Sequence, residues 1–126
     1  MGFFKTFCKI CCVNKTVYYY YFYIILQVRR LAALGGSGIE GVTRRIMKYL
    51  MANQLGIQFN WKGRYNKVEF ENTTTMNIVL EAAKLNFPAN EKNDMQIAWA
   101  IKEWLKHSAA RINQANKNKY RFFSIF

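Results

Sequence analysis

Between residues 39 and 119 the apolar residues recur at the spacing of an α-helix, and Lys and Arg residues fall opposite them. This periodicity constrains the fold more than any other feature, because such segments bury one stripe and leave the other in water. The outer face of a solvated helix must be polar, but it need not be almost entirely positive. The formal charge of +12, from 19 Lys and Arg against 7 Asp and Glu, implies attraction to a polyanion, either a phosphate backbone or an anionic membrane surface. At 126 residues the chain holds one small domain with one modest core.

The segments can be read in order. Leu31-Ala32-Ala33-Leu34 predicts a short helical turn, stopped by Gly35-Gly36-Ser37-Gly38. A helix follows over about residues 40–54, with Ile39, Val42, Ile46, Tyr49, Leu50 and Asn53 inward and Arg44, Arg45 and Lys48 outward; Gly56 suits its stop. Residues 57–72 lack a helical period and predict either a short hairpin around residues 63–66 or a structured loop clamped by Trp61 and Phe70. Thr73, Thr74 or Thr75 caps a helix to about Asn86 that is apolar around most of its circumference, and so should be the most buried. Asn93 with Gln96 forms a capping box for one long terminal helix, from about Asp94 to Asn113 or beyond, with Ile97, Ala98, Ile101, Trp104, Leu105, Ser108 and Ile112 inward. The expected fold is all-α: a single domain of about four helices over residues 28–116, with one irregular loop or short hairpin.

Residues 1–27 differ in character. They contain the run Tyr18-Tyr19-Tyr20-Tyr21-Phe22-Tyr23-Ile24-Ile25-Leu26, and Phe, Tyr, Met, Ile, Asn and Lys fill 17 of these 27 positions. That is the residue set of AT-rich codons, and a pyrimidine tract followed by CAG translates to such a run ending in Gln, as at Gln27. The leading expectation is therefore a translated intron lying outside the domain. A membrane-associating segment over residues 17–26, with Arg29 and Arg30 at the interface, is the second reading, and a genuine helix or strand the third. The apolar run falls short of the ~20 residues needed to span a bilayer, and there is no small-x-small cleavage site before Arg29 for a signal peptide. Residues 117–126 share the codon bias and are taken as a basic, aromatic tail.

Signals for catalysis are few. His107 is a lone imidazole four residues after Glu103, best explained as an exposed i,i+4 pair. Glu69 and Glu71 flank Phe70 without a base or nucleophile signature, and the Gly35–Gly38 run lacks the Gly-Lys-Ser/Thr ending of a phosphate loop. Cys8, Cys11 and Cys12 offer a CxxC spacing, but Cys12 and distant His107 complete a zinc site poorly. An odd, clustered set of cysteines also gives no disulfide framework. The expectation is a non-enzymatic protein with no cofactor, no metal and no small-molecule substrate.

The binding signals lie in the cations. On the terminal helix Trp99, Lys102, Lys106, Ala110, Asn113 and Lys117 project to one face: cations for phosphates, an amide able to meet a base edge, and an indole. Arg44, Arg45 and Lys48 on the first amphipathic helix, with Lys62, Arg64 and Lys67 in the loop, add phosphate-contact candidates. Trp61 and Trp104 are expected as core anchors.

From residues 31 to 112 the chain resembles a small uncharacterised domain family of arthropod proteins. The resemblance rests on Gly35-Gly36, on Arg44-Arg45-Ile46-Met47 with Leu50, on Asn60-Trp61-Lys62-Gly63-Arg64 with Lys67 and Phe70, and on residues 100–107. That family implies no activity. The layout is more loosely similar to BEN domains, several of which bind DNA through a terminal helix and the basic segment after it. Carried over by position, that resemblance implies contacts from Lys102, Lys106, Asn113 and Lys117, with Gly63 and Lys67 in the loop; Trp99 stands where a polar residue is expected. The leading expectation is thus a nuclear module that binds DNA, or another polyanion, through its terminal helix. An adaptor anchored on a protein partner by Trp99 is the alternative. A small membrane-associated protein is the second alternative, which would place the chain at a membrane if the apolar run is genuine.

Overall fold

The structure, a computed structural model, describes residues 15–88 and 93–125. Their elements are helices α1 (Lys15–Ala32), α2 (Gly38–Leu50) and α3 (Asn53–Gly56), strands β1 (Phe59–Asn60) and β2 (Val68–Glu69), and helices α4 (Thr74–Lys84), α5 (Asp94–Lys106) and α6 (Ser108–Ile125). The all-α expectation holds.

The core forms where four amphipathic stripes meet. Ile24, Val28 and Leu31 of α1 follow one another at helical spacing, and each is buried. They meet Val42, Ile46 and Met47 of α2, Val79, Ala82 and Ala83 of α4, and Ile97, Ile101, Trp104 and Leu105 of α5. The α2–α5 and α1–α4 pairs are the largest contacts, and α3 packs beneath α6. Asn86 closes the C-terminal end of α1 by donating from Nδ2 to the carbonyls of Ala32 and Ala82, each at 3.2 Å. Between α1 and α2, Gly36 holds a φ of +148°, and a Cβ there would lie 2.8 Å from the Val42 nitrogen.

The domain boundary placed at residue 28 needs correction. It falls inside α1, and Ile24, four residues before it, is 4 % exposed in the common core. The residues of the run are divided by the same helix: Tyr19, Tyr20, Phe22, Tyr23 and Leu26 face water while Ile24 faces inward. Likewise residue 117 begins no separate tail, because α6 continues through it to Ile125.

Other expectations shift by a turn or less. The helix predicted over residues 40–54 stops at Leu50, where Met51 and Ala52 turn extended before the single turn of α3. Tyr49, expected inward, is 58 % exposed. Thr73 is the cap of α4, its hydroxyl accepting from the Met76 amide at 3.0 Å. That helix is not the most buried, however. Leu85 lies beyond its end and faces water, whereas α5 buries Ile97, Ala100, Ile101, Trp104 and Leu105. Ala100 takes the inward place expected of Ala98. Asn93 stands at the N-cap of α5 in a helical conformation and makes no side-chain cap bond there, so the capping box does not form.

The segment between α3 and α4 is the structured loop rather than the hairpin. A hairpin would pair antiparallel, but β1 and β2 pair in parallel, Phe59 with Val68 and Asn60 with Glu69. The chain reverses between them through Tyr65 and Asn66, at φ +58° and +60°. Asn60 pins the reversal, its Nδ2 donating to the Arg64 carbonyl at 2.8 Å and its Oδ1 accepting from the Arg64 amide at 2.9 Å. Phe70, 1 % exposed, roots the loop and meets Phe59 edge to face at 5.8 Å.

Because α1 is part of the core, Leu31→Ala should cost about 2–5 kcal/mol, and Ile24→Ala a loss in the same range. Thermal and urea melts check both. A melting temperature unchanged by Ile24→Ala would return residues before Val28 to the outside of the domain.

Candidate nucleic-acid interface and the cleft beside it

The predicted binding stripe assumed one straight helix, and the chain bends within it. At His107 the backbone leaves helical geometry (φ −92°, ψ 7°), separating α5 from α6. The cause lies in the carbonyl of Trp104, which accepts from Ser108 Oγ at 3.2 Å and from Arg111 Nη2 at 2.7 Å. Side chains that insert into the i→i−4 ladder bend helices in this way.

Arg111 is the hub of that bend. Its Nη2 also donates to Ser108 Oγ at 2.9 Å, its Nε donates to Asn53 Oδ1 of α3 at 2.8 Å, and its guanidinium carbon lies 4.1 Å from the centre of the Trp104 ring. Burial lowers its pKa from the usual arginine value. Packing is close here: a Cβ on Gly56 would stand 2.5 Å from Ser108 Oγ and 3.0 Å from the Trp104 ring. Arg111 was not among the residues expected from the sequence, although its place between Ser108 and Ile112 on the inward line of the helix is the signal of a half-buried cation.

The predicted residues fall on three surfaces, two of them reached from α5 and one on α6. Lys102 turns to the loop, its Nζ 5.2 Å from the centre of the Trp61 ring, while Lys106 lies 3.9 Å from Glu103 on the same helix. Beside Trp61, Lys62 pairs with Glu71 at 2.5 Å, and Arg64 and Lys67 are exposed. Trp61 itself is partly buried against the core.

The second surface is α6. Residues 113–119 are all exposed, Asn113 and Lys117 among them. Lys117 borders a shallow depression of about 290 Å³ with Gln114, Asn118 and Arg121. Gln114 Nε2 donates to Asn118 Oδ1 at 3.4 Å. This helix carries Arg111, Lys117, Lys119 and Arg121 and no acid; all seven acidic residues of the chain lie between Glu40 and Glu103.

The third surface is a cleft of about 610 Å³ between α2 and α5, reaching the start of α6. It unites Arg44, Arg45 and Lys48 with Trp99, two groups that the sequence assigned to separate helices. Trp104 forms its floor and Arg111 its far end. Glu40 binds Arg44 at 2.7 Å, and the expected Glu103–His107 pair forms at 3.2 Å. Cys8, Cys11 and Cys12 lie outside the described residues. No helix among the described residues is long and apolar enough to cross a membrane.

Trp104, 6 % exposed, and Trp99, 51 % exposed, should respond differently to truncation. Trp104→Ala is expected to cost about 3–5 kcal/mol, and Trp99→Ala no more than about 0.5 kcal/mol. Urea denaturation of both variants checks this, and equal losses would contradict the observed helix phase. Across known proteins, no family, no curated protein and no solved structure matches this chain.

Proposed function

We propose that the domain is a non-enzymatic DNA-binding module that acts in the nucleus, with α6 as the element laid on the duplex. The observation that carries this is the composition of α6: four cations, no acid, and exposed amides interleaved with them. Its 18 residues measure about 27 Å, long enough to follow a major groove for most of a helical turn. Lys117, Lys119 and Arg121 neutralise phosphates, while Asn113, Gln114 and Asn118 are the side chains able to exchange hydrogen bonds with base edges. Arg64 and Lys67 in the loop lend longer-range attraction. Lys102 and Lys106 contribute less, the first because it lies over Trp61 and the second because Glu103 is beside it.

Fluorescence anisotropy with labelled duplex DNA at several salt concentrations tests the proposal on the full chain. Lys117→Ala with Arg121→Ala should lower the slope of log affinity against log salt by about two, and Lys102→Ala with Lys106→Ala by less than one. Asn113→Ala should leave the salt slope unchanged while reducing any preference among duplex sequences. A wild-type protein that does not bind duplex DNA at low salt overturns the proposal.

A further inference from the structure

The α2–α5 cleft has a chemistry that α6 lacks. Trp99 stands at its edge with half of its side chain in water, and Met95, one turn earlier on α5, is 85 % exposed. Past Trp99 the cleft continues into a second depression of about 200 Å³ bounded by Met95, Gln96, Trp99 and Glu40. The α5 wall therefore carries an apolar patch at Met95 and Trp99, with Gln96 beside it and Glu103 and His107 further along. The facing wall is the row Arg44, Arg45 and Lys48 on α2. Residues 44 and 48 are one helical turn apart, with Arg45 beside them.

The charges in the cleft are unevenly matched. Both carboxylates are engaged, Glu40 by Arg44 and Glu103 by His107 and Lys106. Arg45 donates to the Leu34 carbonyl at 3.0 Å, which occupies a donor without neutralising the charge. Neither Arg45 nor Lys48 has an ion pair among the described residues. An exposed Trp and Met bordered by Arg and Lys have the composition of a protein-interface core and its rim. A nucleic acid strand suits this cleft less well than it suits α6. Its charge recurs at every nucleotide and meets the carboxylates of Glu40 and Glu103, and a methionine offers no ring for a base to stack on. A peptide can confine its acids to one side.

We infer that the α2–α5 cleft docks an acidic amphipathic segment of a partner protein. An apolar side chain of that segment packs on Trp99 and Met95, and its carboxylates face Arg45 and Lys48, so that cation and carboxylate exchange water for each other at the rim. This docking does not depend on the DNA-binding proposal, since none of these four residues belongs to α6.

The test is selection of a displayed library of random 16-residue peptides on the full-length protein, followed by titration of enriched peptides. Enriched sequences should combine several Asp or Glu with a Leu, Phe or Trp anchor. Trp99→Ala should weaken such a peptide at least 10-fold, and Lys48→Glu with Arg45→Glu at least 10-fold, with circular dichroism spectra unchanged. Lys117→Ala with Arg121→Ala should leave peptide affinity within 2-fold, which separates this site from α6. Three results overturn the inference: no enrichment, enriched peptides indifferent to the cleft substitutions, or a single-stranded oligonucleotide that binds more tightly than the peptides and requires Trp99.

Discussion

Arg111 ties α3, α5 and α6 together. A guanidinium drawn out of water must recover its lost hydration, and here it does so without a carboxylate: no ion pair of Arg111 occurs among the described residues. Three oxygen acceptors and the face of Trp104 take that role, one from each of Asn53, Trp104 and Ser108. The planar guanidinium fork meets these acceptors in fixed directions, so one side chain links three helices. Gly56 permits this geometry, since any side chain there would collide with Ser108.

The consequence for function is a separation of surfaces. Trp99 and Lys102 already diverge on α5 itself, the first toward α2 and the second toward Trp61, while Asn113 and Lys117 lie past the break at His107 on α6. Trp99 faces α2 across the cleft, and residues 113–119 of α6 are in water. Charge follows the same division. The acids are spread over the part of the chain from Glu40 to Glu103, where Glu40, Glu71, Asp94 and Glu103 pair with nearby cations. Beyond Glu103 no acid follows in sequence, so every charged side chain of α6 is a cation.

Much of this was legible in the sequence, for a reason that can be stated residue by residue. The 3.6-residue recurrence of Val42, Ile46 and of Ile97, Ile101, Trp104, Leu105 marks buried stripes because burial follows the helical period directly. A threonine cap among residues 73–75, which the structure narrows to Thr73, and the exposed pair of Glu103 and His107 were equally visible, since both depend on residues three or four apart. The N-terminal helix was misplaced because its aromatic run masks the period: among its described side chains Ile24, Val28 and Leu31 are the buried ones, and the large aromatic rings around them occupy exposed as well as partly buried positions.

The sequence by itself determined the all-α class, the strips that form the core, and the excess of positive charge, because each depends on composition or on residues within one helical turn. Tertiary structure decided the parallel closure of the loop, the burial of Ile24, the bend at His107 and the meeting of Arg44, Arg45 and Lys48 with Trp99. These depend on contacts between residues distant in the chain, such as Arg111 with Asn53 or Asn86 with Ala32, and local periodicity does not encode which distant partner a side chain finds.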